Sequence, residues 1–250
     1  MRVTKESLEK IADEYHLQGD APDMFIENAI QLYELNWVMS RIQKNSRILD
    51  LGYGDGLFLE KLAEGNELTI IEGSSALVNA ARLQAENLSL TVQVINVMFE
   101  KFEPEGQYDV VVASHVLEHV DNPIEVLKKI KKWLSPTGIL ICIVPNRESL
   151  HRRLGLKMGL IKNLDDLSAR DLTVGHLRVY SYGILNSDLN AAGFVVIEKR
   201  GFFLKALSNS QMLGLTESAI QGLCKLSDEL PLEMGANLGL VATHERLNNE

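Results

Sequence analysis

Five short apolar segments in the middle of the chain alternate with stretches of helical periodicity, and this alternation narrows the possible folds most. The segments are RILDL, ELTIIE, TVQVINV, YDVVVA and ILICIV, beginning at residues 47, 67, 91, 108 and 139. Strands this uniformly apolar are buried on both faces, as in a parallel sheet covered by helices. With two more strand patterns near 194–200 and 238–244, the sequence predicts a doubly wound, mostly parallel, seven-stranded α/β sheet.

The chain is organised as one domain rather than two. Its 250 residues suit a single large domain, and neither an internal repeat nor a low-complexity linker divides them. We expect one domain over 1–250, with a helical cap over 1–45, a ligand-binding core over 46–145 and an acceptor-side half over 146–250. Within that half, residues 146–178 read as an insertion of loops and helices.

Charge and composition exclude several classes of function. The chain has 34 acidic and 25 basic residues, for a net charge of −9. Nucleic-acid binding usually needs a basic face, and the one dense basic run, EVLKKIKKW, has the spacing of a solvated helix face. We therefore expect no nucleic-acid partner.

The sequence also indicates a compartment. No apolar run approaches the roughly 18 residues needed to cross a bilayer, and the charged start MRVTKESLEK lacks the apolar core of a secretory signal. The two cysteines, Cys142 and Cys224, are too few for a disulfide framework. We expect a reduced, cytoplasmic protein without a membrane span.

The strongest local signal is a glycine loop directly after the first strand. Gly52, Gly54 and Gly56 leave room for a sharp turn and for close approach of a ligand. Their G-x-G-x-G spacing differs from the G-x-G-x-x-G of dinucleotide sites. Asp50 and Asp55 would repel a pyrophosphate but suit a cationic ligand with an amino group. The pattern disfavours NAD, although a glycine turn without any ligand remains an alternative.

With three later landmarks, this loop resembles the class I S-adenosylmethionine (SAM) methyltransferases, which have a Rossmann-like fold. Glu72, in TIIEGS at the end of the second strand, stands where the family binds the ribose hydroxyls, and a carboxylate can accept two such hydrogen bonds. Asn96 stands at the adenine position, and YDVVVASHVLEHVDNP looks like the segment lining the sulfonium end. The cofactor residues that the resemblance implies are Asp50, Gly52, Tyr53, Gly54, Gly56, Glu72, Gly73, Asn96, Val97, Met98, Ser114 and His115.

The segment His115-Val-Leu-Glu118-His119 carries the first candidate catalytic groups. It formally matches an inverted zinc-peptidase motif, but it follows a buried strand instead of lying on a helix. Ubiquinone-type relatives have Glu-x-x-Glu-His here and can engage a divalent metal. His115 replaces the first glutamate and leaves one carboxylate, so we expect no metal. Either histidine could be a general base, or both could pack against the cofactor and hold the loop.

A second segment, Gly175-His176-Leu-Arg178-Val-Tyr180, resembles the border of the acceptor pocket in such relatives. The resemblance makes His176 another candidate base. It also makes Arg178 and Tyr180 substrate-binding residues, with Arg178 pairing with a phosphate or carboxylate of the acceptor. An ion pair between Arg178 and the acidic residues of the insertion, Asp165, Asp166 and Asp171, is the structural alternative.

These observations together predict a SAM-dependent methyltransferase that acts on a small molecule. Two segments that carry histidines favour a hydroxyl acceptor, such as a sugar, a quinol or a natural-product intermediate, because a hydroxyl benefits from a base. An amine acceptor, for instance on an amino sugar, remains an alternative. So do an NAD-linked oxidoreductase and a protein that binds SAM without catalysis. A homodimer is also possible.

Overall fold

A computed structural model describes residues 4–17 and 22–244 of the chain. Its centre is a seven-stranded sheet in the order β3-β2-β1-β4-β5-β7-β6. The first five strands of that order are parallel, and β7 runs antiparallel between β5 and β6. This confirms the predicted mostly parallel sheet. The strands are β1 Arg47–Leu51, β2 Glu67–Glu72, β3 Val92–Asn96, β4 Tyr108–Ser114, β5 Leu134–Pro145, β6 Phe194–Phe202 and β7 Asn237–His244.

The helices connect and flank these strands. A π-helical turn, Ala12–His16, extends the first helix, and short 3₁₀ turns follow β3 and α10. The α-helices of the described residues are α1 Lys5–Ile11, α2 Met24–Met39, α3 Leu59–Ala63, α4 Ser75–Asn87, α5 Pro123–Trp133, α6 Leu150–Lys157, α7 Ala169–Thr173, α8 Tyr182–Ala191, α9 Asn209–Met212 and α10 Glu217–Leu226.

Alternate residues of the central strands pack on opposite faces of the sheet. In β4, Val111 and Ala113 join one apolar cluster with Trp133 of α5 and Leu189 of α8. Val110 and Val112 join another, which includes side chains of α2, α3 and α4. Successive side chains of a strand point to opposite faces, so helices on both sides explain why these strands are apolar throughout.

The N-terminal helices do not form a separate unit. The first half of α2 packs through Ile26 and Ile30 against Met212 of α9 and Ile220 of α10, and its second half joins the sheet's own core. The single-domain organisation stays a prediction. Both ends of the chain and part of the predicted cap lie outside the described residues; these are residues 1–3, 18–21 and 245–250.

Within the described ranges, no helix combines the length and the apolar character that a membrane span requires.

Candidate functional site

A cavity of about 350 Å³ opens at the carboxyl ends of the parallel strands. Strand β1 is the point where the strand order reverses, with β2 on one side and β4 on the other. Doubly wound sheets bind ligands at such a reversal. The segments after β1, β2, β4 and β5 all contribute to the lining.

The loop after β1 has the backbone conformation that its glycines allow. Gly52, Gly54 and Gly56 have φ angles of +88°, +55° and +75°, a region that other residues rarely adopt. A Cβ at Gly56 would lie 2.5 Å from Tyr53 Oη, whereas a Cβ at Gly54 would meet nothing within 4 Å. The loop is therefore closely packed at its end and open at its middle, where a ligand can approach the backbone.

Glu72 ends β2 beside this loop and is 7% exposed. Its Oε2 accepts a hydrogen bond from the Tyr53 amide at 3.1 Å, and its Oε1 accepts one from the Ser74 amide at 2.7 Å. Burial raises the pKa of Glu72, although these bonds oppose the change. Each oxygen keeps a second lone pair, so the oriented carboxylate can accept further bonds from two hydroxyls.

The two aspartates near the loop are in different states. Burial, and next the charge of Glu72, raises the pKa of Asp50 to about 8, so Asp50 is protonated at neutral pH. Asp55 is 2.6 Å from His16 Nδ1 and accepts a hydrogen bond from Gln31 at 3.1 Å. The Asp55 carboxylate therefore already has hydrogen-bond partners within the protein. The sequence predicted instead that it would suit a cationic ligand.

Helix α1 lies over the same end of the cavity. Glu9 accepts hydrogen bonds from the Ser74 hydroxyl at 2.7 Å and from the Ser75 and Ala76 amides at 2.6 and 3.2 Å. Burial would raise the pKa of Glu9, but these bonds outweigh it and lower the pKa to about 2. Glu9 thereby caps α4, and Leu8 of α1 lines the cavity.

His115 follows β4 in a left-handed conformation, with a φ of +55°. Its Nε2 is 3.2 Å from Glu34 Oε2, and its Nδ1 is 3.3 Å from Glu118 Oε1; both carboxylates are fully buried. Burial would lower the pKa of His115, but the charge of Glu34, followed by Glu118, raises it well above the usual value. His115 is therefore a cation held between two carboxylates, an arrangement suited to positioning the loop.

His119 and His176 are in contact and have different surroundings. Their ring centroids are 4.7 Å apart in an edge-to-face arrangement. Burial lowers the pKa of His119 to about 4, so its ring is neutral near pH 7. His176 Nδ1 is 3.1 Å from Asp171 Oδ1. Burial would raise the pKa of Asp171, but bonds from His176 and Ser168 outweigh it and lower it.

The Asp171–His176 pair has the arrangement of a general base and its orienting carboxylate. An ionised Asp171 favours the tautomer in which Nδ1 of His176 donates, which leaves Nε2 free to accept a proton. Both residues line the cavity.

Glu118, His119 and His176 also offer a group of possible metal ligands. One ligand atom from each lies within 4.8 Å of the others, and within the described part of the chain neither Glu118 oxygen accepts a hydrogen bond. Two imidazoles and one carboxylate suit zinc or a similar transition metal better than magnesium. However, the cationic His115 beside Glu118 opposes a second positive charge there.

Most of the predicted site residues line this cavity. The exceptions are Gly56, Asn96, Val97, Arg178 and Tyr180. Gly56, Asn96 and Val97 lie outside the lining but close to Glu72 or its loop; Asn96 Nδ2, for example, donates to the Glu72 carbonyl at 3.0 Å. The predicted residues in the lining are Asp50, Gly52, Tyr53, Gly54, Glu72, Gly73, Met98, Ser114, His115, His119 and His176.

The two predicted acceptor-binding residues also lie outside the lining. Arg178 donates to the carbonyls of Leu117 and Val120 at 2.8 and 2.5 Å, and Tyr180 is fully buried. Arg178 thus holds the loop after β4 through two of its carbonyls. The ion pair with the acidic insertion, our structural alternative, does not form among the described residues.

Sequence reasoning missed several residues of the site. Glu9, His16, Glu34, Asp171 and Lys205 all bear on the cavity or its histidines. Only Asp171 had a local signal, because Ser168 and Asp171 form a capping box at the start of α7. That pattern indicates a helix start and gives no hint of a bond to His176.

Comparison with known proteins agrees with this geometry. A family model described as a methyltransferase domain matches residues 27–199. A ubiquinone biosynthesis O-methyltransferase of Rhodopseudomonas palustris is 32% identical over 120 residues, 48% of this chain and 47% of that protein. The protein of the same name from Rickettsia bellii is 30% identical over 162 residues, 62% of this chain and 68% of that protein. The chain thus spans about half the length of the first relative.

A solved structure shows the same fold. It is a SAM-dependent methyltransferase from Thermotoga maritima, described as a possible histamine N-methyltransferase. It superposes with a TM-score of 0.65 over 94% of this chain and 99% of that one, at 20% identity. At that identity the likeness concerns the fold alone.

Proposed function

This chain belongs to the methyltransferase-domain family, and from that premise we propose that it binds SAM and methylates a hydroxyl group of a small molecule. The observation that carries the proposal is the placement of Glu72. Its buried carboxylate, oriented by the Tyr53 and Ser74 amides, faces the glycine loop at the reversal of the sheet. That is where a nucleoside with two free ribose hydroxyls would be bound.

The lining residues fit the cofactor. The open backbone at Gly54 would receive the methionine half, and Asp50 would face its amino group. A Cβ at Gly73 would collide with Leu8 and Met98, at 2.6 and 2.9 Å, so these two apolar side chains pack closely against the backbone beside Glu72. When bound there, SAM supplies a methyl group activated by a positively charged sulfur.

We assign the proton transfer to His176. A hydroxyl is a poor nucleophile while protonated, and a base contributes roughly 10²- to 10⁴-fold. Nε2 of His176 would accept the proton while Asp171 holds Nδ1 at 3.1 Å. His119 would support the ring of His176 through their edge-to-face contact, and the cationic His115 would position the loop between Glu34 and Glu118.

The names of the curated relatives support oxygen as the methylated atom and a quinol among the acceptor classes. A neutral amine needs no base, so an N-methyltransferase would not depend on the Asp171–His176 pair. The homodimer, the cytoplasmic location and the absence of a nucleic-acid partner stay predictions.

The proposal is tested by the ligand and the reaction. We expect mass spectrometry to detect SAM or S-adenosylhomocysteine (SAH) among the ligands released from the purified protein. We also expect the protein to transfer the label of labelled SAM to a hydroxylated component of cell-extract fractions. Release of a dinucleotide would contradict the proposal. SAH binding without any labelled product would favour the non-catalytic alternative.

We expect SAM binding to release a proton near neutral pH. Asp50 is protonated in the free protein because its pKa is about 8, and the cationic methionine end of the ligand would lower that pKa. By linkage, SAM affinity should rise as the pH increases from about 6 to about 8. Calorimetry in buffers of different ionisation enthalpy measures the released proton. Asp50→Asn should abolish the release, and an unchanged release in that variant would contradict this assignment.

We expect activity to survive a metal chelator. The cation at His115, 3.3 Å from Glu118, already balances the carboxylate that a metal would need. Initial rates with and without EDTA provide the measurement, with zinc and magnesium added back separately. A loss of activity that either ion restores would place a metal on Glu118, His119 and His176.

A further inference from the structure

The cavity continues past the histidines to a charged region formed by α6, α7, the start of α2 and the segment after β6. Its lining includes Arg152, Arg170, Lys205, Glu27 and Asp171. No cofactor role falls on these residues. Because Asp171 contacts His176, this region adjoins the group that we assign as the base.

Both arginines of this region form ion pairs with carboxylates. Arg170 pairs with Asp23 and, at 3.3 Å, with Glu27. Arg152 is 3.4 Å from Asp171 Oδ2 and donates to the Leu164 carbonyl at 3.0 Å.

The carboxylates of this region also accept hydrogen bonds from other residues of the protein. Asn209 donates to both Asp23 and Glu27. Asp171 accepts from Arg152, from His176 and, at 2.7 Å, from the Ser168 amide. Each acid therefore has cationic or amide partners within the protein.

Lys205 is the exception. Among residues 4–17 and 22–244, its ammonium has neither a hydrogen-bond nor an ion-pair partner, although Lys205 lines the cavity. Burial lowers the pKa of Lys205, although the charges of Glu27, Asp23 and Asp171 oppose the change. At nearby His151, burial and then the charges of Lys205 and Arg152 lower the pKa to about 3. Lys205 is half-buried at the cavity wall, so an anion supplied by a ligand could form the direct ion pair that its ammonium lacks within the protein.

We propose that Lys205 binds an anionic group, a carboxylate or a phosphate, carried by the acceptor. The inference rests on the proposed function, since it takes this cavity as the acceptor site. The acceptor would thus have a hydroxyl near His176 and a negative charge near Lys205. A neutral quinol would leave the Lys205 ammonium without a direct ion-pair partner among the described residues.

Three matched probes test the proposal: phenol, benzoate and phenyl phosphate. Each is titrated at millimolar concentration into the protein, with and without saturating SAH, and followed by ligand-observed NMR. We expect at least one anion to bind about tenfold or more tightly than phenol, as a charge-assisted contact implies. The preferred anion identifies the class. Equal behaviour of the three probes, including no detectable binding of any, would overturn the proposal.

Two substitutions show whether Lys205 causes the preference. Lys205→Met should remove it and Lys205→Arg should retain it. Lys225→Met, on the exposed surface of α10, makes the same change in net charge and should behave as the unmodified protein. A preference that persists in Lys205→Met would refute the assignment. Calorimetry with SAH is run in parallel, so a failure of cofactor binding refutes the proposed function separately from the anion site.

Discussion

Glu72→Ala is expected to weaken SAM binding tenfold or more. The substitution removes an acceptor of charge-assisted hydrogen bonds, each worth about 1.5–3 kcal/mol, and about 1.4 kcal/mol corresponds to one factor of ten in affinity. It also leaves the Tyr53 and Ser74 amides without their acceptor, which loosens both loops at the nucleoside. Isothermal calorimetry with SAM measures the change.

Glu67→Ala is the matched control for this result. Glu67 begins the strand that Glu72 ends and is exposed, so its loss changes the net charge equally without touching the cavity. We expect SAM affinity to be unchanged in Glu67→Ala, and the melting temperatures of both variants show whether either change also affects stability. Equal affinity of Glu72→Ala and the unmodified protein would remove the principal support for the cofactor site.

His176→Ala is expected to lower turnover by roughly 10²- to 10⁴-fold, the usual contribution of a general base, while SAM affinity stays within a factor of about three. In our proposal the imidazole would act on the acceptor proton and would take no part in holding the nucleoside. Single-turnover rates at saturating SAM, together with calorimetry, separate the two effects. Asp171→Asn should lower the rate less, since the ring remains but loses the carboxylate that orients it.

His244→Ala controls for the loss of an imidazole as such. His244 lies at the end of β7 beside Phe194, away from the cavity lining, so the rate should not change. His115→Ala and His119→Ala complete the series, because each histidine was a candidate base. Full activity in His115→Ala, His119→Ala and His176→Ala would show that none of these three candidates is a general base, and would favour an amine acceptor.

The sheet was predictable because its signal is local. Each strand is a short apolar run, and Gly52, Gly54 and Gly56 follow one of them directly, so adjacent residues carry the information. Where boundaries differ, the cause is also local. Strand β5 begins at Leu134, five residues before the apolar run, because Leu134 pairs with Tyr108 across a register shift in β4.

The charge states of the site were not predictable, since they depend on residues far apart in sequence. Glu34 lies 81 positions before His115 and makes it a cation. Likewise, His16 lies 39 positions before Asp55, and its Nδ1 contacts the Asp55 carboxylate. The resemblance placed Arg178 and Tyr180 at the acceptor, but Arg178 instead donates to carbonyls of the loop after β4.

Helix α1 covers the end of the cavity where we propose that the nucleoside binds. Three hydrogen bonds that Glu9 accepts from the start of α4 hold this helix in place. A nucleoside bound beneath α1 would be covered by a helix that one carboxylate holds in place. The retention of such a ligand would then depend in part on Glu9, a side chain outside the cavity lining.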